Sequence, residues 1–515
     1  MMSSLTVSED EQMTLNDHPD DETPDDALIP SSSSSEPLSA SNDLDDHDDT
    51  LRSVLPTLII SILLGLVSGT AYGFGRYART LKDILGLSQS QVQTLGIFMD
   101  CGNYVGHPLV GIIYDRKGPV VSCLLGALIA FVSYWEIRWT ILNHDEQDLS
   151  HAGILWLKLA FFGVGFSSGL AYISGLGTTT KALLKLTGPS SRYFGTVIGL
   201  VAASAGLSST LVGISYQHSP NLQGFFLFWA LIVPVVNIFG AIMFQIQEYN
   251  NAPIERLTES DGPIREVGPL LCSPALESAE AQESQQVKID EEVLLNEDNN
   301  VLMEAWDSWQ KLEFWLLFAS FSCASGCGLL VINNLSTMVQ SMGGSDSLAG
   351  TLVIVLSLSN VGGRLLMGML GDAATPSNSP VLPRIRLLQG VNLTMALAMF
   401  LAFIFGQQQV CLILFVVIVA LAYGSAWVLI VALTPKLFAK EHFGKSYGLL
   451  ALGPAMSGLI FNQASAKWYD QHASNNTCIG RECYGTSYAG SMAVALIGVI
   501  ITGILHKLQR RKEGQ

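Results

Sequence analysis

Residues Ser68–Asp115 read SGTAYGFGRYARTLKDILGLSQSQVQTLGIFMDCGNYVGHPLVGIIYD, and residues Ser325–Asp372 read SGCGLLVINNLSTMVQSMGGSDSLAGTLVIVLSLSNVGGRLLMGMLGD. Laid over one another at a shift of 257 without gaps, they agree at 14 of 48 positions. Chance matching of apolar helices explains the Leu and Ile pairs. It does not explain an Asn-x-x-Gly-x-x-x-x-Gly-x-x-x-Asp string kept in both copies, at Asn103/Asn360, Gly106/Gly363, Gly111/Gly368 and Asp115/Asp372. Two copies running in the same direction predict two homologous halves, the build of transporters whose site lies near the midplane between repeats.

The solvent is lipid. Of 515 residues, 49% are hydrophobic and only 14% charged, where a soluble domain carries about 25%. A bilayer core of about 30 Å takes roughly 20 apolar residues per helix. Reading with that window predicts an all-α polytopic membrane protein with spans at 54–77, 90–113, 119–141, 153–176, 194–216 and 223–246, then 313–337, 347–371, 385–406, 410–432, 446–465 and 486–506. The expected organisation is a disordered acidic tail over 1–52, a six-helix half over 53–246 and a flexible linker over 247–310. A second six-helix half over 311–506 and a basic tail over 507–515 complete it. The net charge of −17 comes largely from the tail and linker, not from a folded surface, and gives no reason to expect a nucleic-acid partner.

Orientation follows from Lys and Arg. The even-numbered connections and the C-terminus hold fourteen, including Arg116, Lys117, Lys181, Arg384 and Lys436, and the opposite connections hold five. That asymmetry places both termini in the cytosol. On the far side, Asn475-Asn476-Thr477 is a glycosylation sequon, and Cys478 and Cys483 share its loop, where an oxidising compartment would allow a disulfide.

Gly111-Ile-Ile-Tyr-Asp115-Arg116-Lys117-Gly118, at the cytosolic end of the second span, resembles the Gly-x-x-x-Asp-Arg-x-Gly signature of the major facilitator superfamily. The resemblance implies the twelve-helix fold of that family and a cytosolic gate. Gly111 admits a neighbouring helix, and Asp115 with Arg116 latches it. The second copy keeps Gly368 and Asp372 but has Ala373 where Arg would stand, so its latch is expected to be weaker or made differently. Phe443-Gly444-Lys-Ser-Tyr447-Gly448, Gly453-Pro454-Ala455 and Ala466-Lys467-Trp468-Tyr469-Asp470 resemble the fungal monocarboxylate-transporter-homologue group of vacuolar transporters. The stretch Ser68–Asp115 resembles the wider nodulin-like branch. Those resemblances imply a vacuolar membrane address, with the plasma membrane as the alternative.

Ionisable residues inside spans are costly and are functional candidates by default. Asp100, Asn103 and His107 fall at i, i+3 and i+7 and are expected on one helix face. The repeat carries that stripe to Ser357, Asn360 and Arg364, putting His107 and Arg364 at equal depth, facing one another across a cavity. Arg364 would bind an anionic group of the solute, because a guanidinium matches a carboxylate in bidentate fashion. Asp100 or His107 would take a coupling proton. The alternative is that these side chains hold helices together. Monocarboxylate carriers place an Asp four residues before this Arg. Here the position is Asn360, so the family's substrate label does not carry over.

The linker holds two acidic dileucine strings, Glu266 with Leu270-Leu271 and Asp290 with Leu294-Leu295, which suit a vacuolar sorting adaptor. There is no full Gly-x-x-x-x-Gly-Lys-Ser/Thr phosphate-binding loop (Gly444-Lys445-Ser446 is preceded by Ala439 where the first Gly would stand), nor metal spacing or a nucleophile elbow, so neither a cofactor nor an enzyme is expected. The expected partners are a small-molecule solute and the lipid bilayer, with the chain monomeric. The rival reading is a non-transporting nutrient sensor that keeps a carrier fold.

Overall fold

The computed structural model describes residues 39–69, 73–143, 151–187, 193–258, 309–374, 381–405, 408–438, 442–473 and 478–513. Residues 1–49 and 50–515 are two separate units. Residues 39–49 of the first are helical, so helix begins inside the stretch expected as a disordered tail. The linker's two dileucine strings and Asn475 lie outside the described residues.

All regular structure among the described residues is helical, as lipid requires of single segments that must satisfy their own backbone. The helices are α1 (Ser39–Ser68), α2 (Phe74–Leu85), α3 (Gln89–Asp100), α4 (His107–Leu142), α5 (His151–Thr187), α6 (Phe194–His218) and α7 (Leu222–Thr258). The second set is α8 (Leu312–Ser341), α9 (Asp346–Ala373), α10 (Leu382–Phe405), α11 (Gln409–Leu437), α12 (Phe443–Leu450), α13 (Leu452–His472) and α14 (Gly485–Glu513). Nine of the described helical runs are long and apolar enough to cross a membrane. One of them, Gln91–Leu142, has 52 residues, about 78 Å at 1.5 Å per residue. That is two crossings, and the chain turns between them at Gly118, whose φ of 76° breaks the helix before Pro119. Each of the twelve expected crossings falls largely on helix. Large apolar side chains such as Leu128, Trp156, Val132 and Ile500 are more than half exposed, as lipid-facing positions should be.

Two expectations change in detail. The first crossing stops at Ser68, and the residues expected to finish it form the separate helix α2. The stripe Tyr77, Leu81 and Leu85 fixes α2, with Tyr77 packed against Phe225 and Phe226 of α7. The second crossing contains a π turn, Cys101–Val105, between α3 and α4. The repeat also becomes legible as turn chemistry. Gly86 and Gly343, a matched pair, both take positive φ. Ser88 and Ser345, another matched pair, both cap the following helix, accepting from Gln91 N and Leu348 N.

Within the first set, α4 packs on α5 and α7, and α3 on α5; within the second, α9 packs on α11, and α10 on α14 and α11. The most extensive contacts across the sets are α6 on α9 and α4 on α12. These two seams position everything below.

Candidate functional site: two seams and their latches

Each seam rests on glycines that let two backbones touch. A Cβ on Gly111 would collide with the carbonyl of Gly444, and one on Gly368 with the carbonyl of Gly195. A carboxylate four residues on then reaches the first turn of the opposing helix. Asp115 accepts from Gly444 N at 3.1 Å and Lys445 N at 2.7 Å. Asp372 accepts from Gly195 N at 2.6 Å and Thr196 N at 2.7 Å. In both cases the donors are the second and third residues of a helix, α12 or α6. Those N–H groups have no partner within their own helix, and the positive end of the dipole lies there. The two halves are thus fastened together by the same device twice. The end of the bundle carrying Asp115 and Asp372 is called the latch end below.

The cations differ from those expected. Arg116 is exposed, and the cation on Asp115 is Lys181 of α5, at 3.3 Å and itself 35% exposed. The arginine missing at Ala373 is replaced from elsewhere. Arg384 of α10, only 1% exposed, reaches Asp372 at 3.1 Å, and the Thr196 hydroxyl adds a bond at 2.7 Å. Lys436 lies 4.8 Å over the Phe194 ring beside it. The second latch is made differently and has more donors, not fewer. Lys181 and Arg384 were visible only as basic loop residues. The signal for the two helix starts is the pair Phe194-Gly195 and Phe443-Gly444, which recurs at a spacing of 249 and so escapes a gap-free comparison at 257.

Deeper in the seams, the candidates separate. Asn103 and His107 are buried at 7% and 3% exposure, while Asp100 is exposed. The π turn inserts extra backbone between them, with Gly106 N bonding to Cys101 O, and rotates Asp100 off their face. His107 contacts the Asn103 carbonyl through Nδ1 and its ring lies edge-on to Tyr447 of α12 at 6.3 Å. Arg364, 3% exposed, is in the other seam. Its Nε donates to Asn360 Oδ1 at 3.3 Å, and its Nη1 donates to the carbonyl of Ala202 across the seam. His107 and Arg364 therefore hold repeat-related places but each packs into its own seam, instead of facing the other. The i, i+4 contact of Asn103 with His107 recurs as that of Asn360 with Arg364.

An aromatic layer not foreseen from sequence lies beside the first seam. Tyr104 stacks on Trp427 of α11 at 6.4 Å, and Trp427 meets Phe321 of α8 edge-on at 5.0 Å. Trp427 is 4% exposed and its Nε1 has no acceptor among the described residues. Near the opposite end, Cys478 and Cys483 are joined by a disulfide. No group of three or more His, Cys, Asp or Glu among the described residues could hold a metal.

Comparison with known proteins gives these seams a lineage. The family described as Nodulin-like matches residues 56–265, and that described as Major Facilitator Superfamily matches residues 190–462. The chain is 23% identical to the probable transporter MCH1 of Saccharomyces cerevisiae, over 88% of this chain and 93% of that one. It is also 23% identical to the protein NUCLEAR FUSION DEFECTIVE 4 of Arabidopsis thaliana, over 86% of each. Among solved structures it is similar to a bacterial homologue of the iron transporter ferroportin in the outward-facing state, with TM-score 0.60, 14% identity and coverage of 88% and 99%. The proton:xylose symporter XylE is similar at TM-score 0.58 and 15% identity, covering 87% of this chain and 95% of that one. With the fold common to both structures and a family match over more than half its length, the chain belongs to the major facilitator superfamily, as a multi-pass membrane transporter with a nodulin-like first half.

Proposed function

We propose that this transporter moves a small anionic solute across the vacuolar membrane by alternating access, coupled to protons. One observation carries the reading: the Arg364 guanidinium is buried in a seam that has to open, and it is tied to the other half through the Ala202 carbonyl. When α6 and α9 part, that bond breaks. A buried guanidinium left without an acceptor is strongly unfavourable, so opening is easiest when something else takes the place of Ala202 O. A carboxylate fills two donors at once.

Asp100 supports the coupling. It is exposed, and among the described residues no cation or donor is bonded to it, unlike Asp115 and Asp372. It is therefore the carboxylate available to gain and lose a proton during the cycle. The cytosolic assignment of the latch end rests on its Lys and Arg excess, and the Cys478–Cys483 disulfide suits an oxidising far side. The vacuolar address rests on the resemblance to the fungal relatives and on the two dileucine strings of the linker.

Uptake into proteoliposomes holding the full chain tests the reading. With an inward proton gradient, a panel of carboxylates should be taken up above empty liposomes. Arg364→Ala should abolish that uptake, and Asp100→Asn should remove its dependence on the gradient. Uptake unchanged by Arg364→Ala sinks the anion role.

A further inference from the structure

A second arginine lies in the membrane part, and the proposed function makes no use of it. Arg76 is on α2, nine residues before its end at Leu85, about 14 Å into the bundle from the end opposite the latches. Its side chain is exposed. Among the described residues it has no carboxylate, carbonyl or ring partner, whereas Lys181, Arg384 and Arg364 all do. A guanidinium kept at that depth without a counter-charge is costly and asks for a ligand.

Its place is defined by α6. The space where a Cβ on Gly213 would stand is bounded by Arg76 alone, with Nε at 3.7 Å and Cζ at 3.8 Å. A related arrangement lies two turns earlier on the helix. Gly206 has Arg364 Nε at 3.7 Å and Cζ at 3.8 Å, together with Val361. Gly206 and Gly213 are seven residues apart, hence on one face and about 10 Å apart along the axis. Two missing side chains on α6 thus make room for two guanidiniums, one from each half of the molecule. Asp115 and Asp372 are committed to the latches, which leaves Asp100 as the candidate acid of the stripe and the track net positive.

We propose that Arg76 and Arg364 form a two-cation track on the Gly206–Gly213 face of α6 and that the substrate class is a small dicarboxylate. This rests on the anionic reading above and narrows it. Each guanidinium lies beside its own glycine, so the pair is spaced on the order of the glycines' 10 Å along α6, and with N to O at about 2.8 Å at each end that spacing suits a short dicarboxylate. Arg76, exposed on the far side from the latches, takes one carboxylate first. The second reaches Arg364 as it leaves Ala202 O. A monocarboxylate satisfies only one of the two cations.

The test compares radiolabelled succinate and acetate in proteoliposomes of the full chain. Wild type should favour succinate at least tenfold in kcat/KM. Arg76→Ala should raise the succinate KM tenfold or more, a much larger change than in the acetate KM, and Arg76→Lys should restore part of the loss. Gly213→Leu, which fills the space the guanidinium occupies, should reproduce Arg76→Ala without touching the charge. Unfolding temperatures matching wild type would exclude misfolding. Succinate uptake indifferent to both Arg76→Ala and Gly213→Leu overturns the track and leaves the anionic reading standing. Wild type that takes up neither anion overturns the anionic reading itself, and the track with it.

Discussion

The seam between α4 and α12 and the seam between α6 and α9 descend from one repeated sequence, and they close with the same carboxylate on the same turn of an opposing helix. They differ in what surrounds that carboxylate. Asp115 receives two backbone N–H groups and a lysine that is one-third exposed. Asp372 receives two backbone N–H groups, a hydroxyl and an arginine that is almost fully buried. The half that kept the family's Asp-Arg pair holds the looser latch, and the half that lost it holds the tighter one. Both cations come from a neighbouring helix, Lys181 from α5 and Arg384 from α10, and they differ in how far packing covers them. The second seam is therefore expected to be the last to open.

The comparison is broken most severely by Asp372→Ala. That change leaves Arg384 buried without its carboxylate, a loss of about 3–5 kcal/mol for a buried pair. We expect a large fall in unfolding temperature in detergent, and alkylation of a cysteine placed at Thr196 should become rapid. Asp115→Ala should cost less, about 1–2 kcal/mol, because it removes a cap and a solvent-screened pair. Equal losses from the two alanines would show that the latches are equivalent. Next come the glycine contacts. Gly111→Val and Gly368→Val both force a side chain into an opposing carbonyl, at about 1–3 kcal/mol each. Both should tilt the protein toward the state with the latch end open, read as faster cysteine labelling from that side.

Much of this was legible beforehand. The fold followed from hydropathy and from the Asn-Gly-Gly-Asp string, whose second Gly and Asp are the seam contacts and latches, while its first Gly packs on a helix of its own half, Gly106 on Phe166 of α5 and Gly363 on Leu421 of α11. The repeat even recorded turn chemistry, in Gly86/Gly343 and Ser88/Ser345. What escaped reading was whatever one helix supplies to another. Nothing in the order of residues ties Arg384 to Asp372, Lys181 to Asp115, or Trp427 to Tyr104. The π turn at Cys101–Val105 is a second kind of loss. A helical wheel assumes constant pitch, and five residues of wider winding were enough to take Asp100 off the face of Asn103 and His107. Arg76 was hidden inside what read as the first crossing, because α2 is marked off only by the break after Ser68.

The smallest expected effect is also the sharpest probe of the comparison. Lys181→Ala removes the lysine that pairs with Asp115, yet two N–H groups of α12 remain on that carboxylate. The lysine's exposure means that water and salt already screen the pair, so the change should cost at most about 1 kcal/mol. The same logic makes that cost depend on salt: it should fade toward zero as ionic strength rises and the Debye length drops below the pair's surroundings. Arg384→Ala at the other latch has no such escape, because no solvent reaches its guanidinium, and its cost should hold across the same salt range. Unfolding temperatures of the two variants at low and high salt measure the difference directly. A salt-dependent loss at Arg384, or a salt-independent one at Lys181, would reverse the assignment of the tight and loose seams.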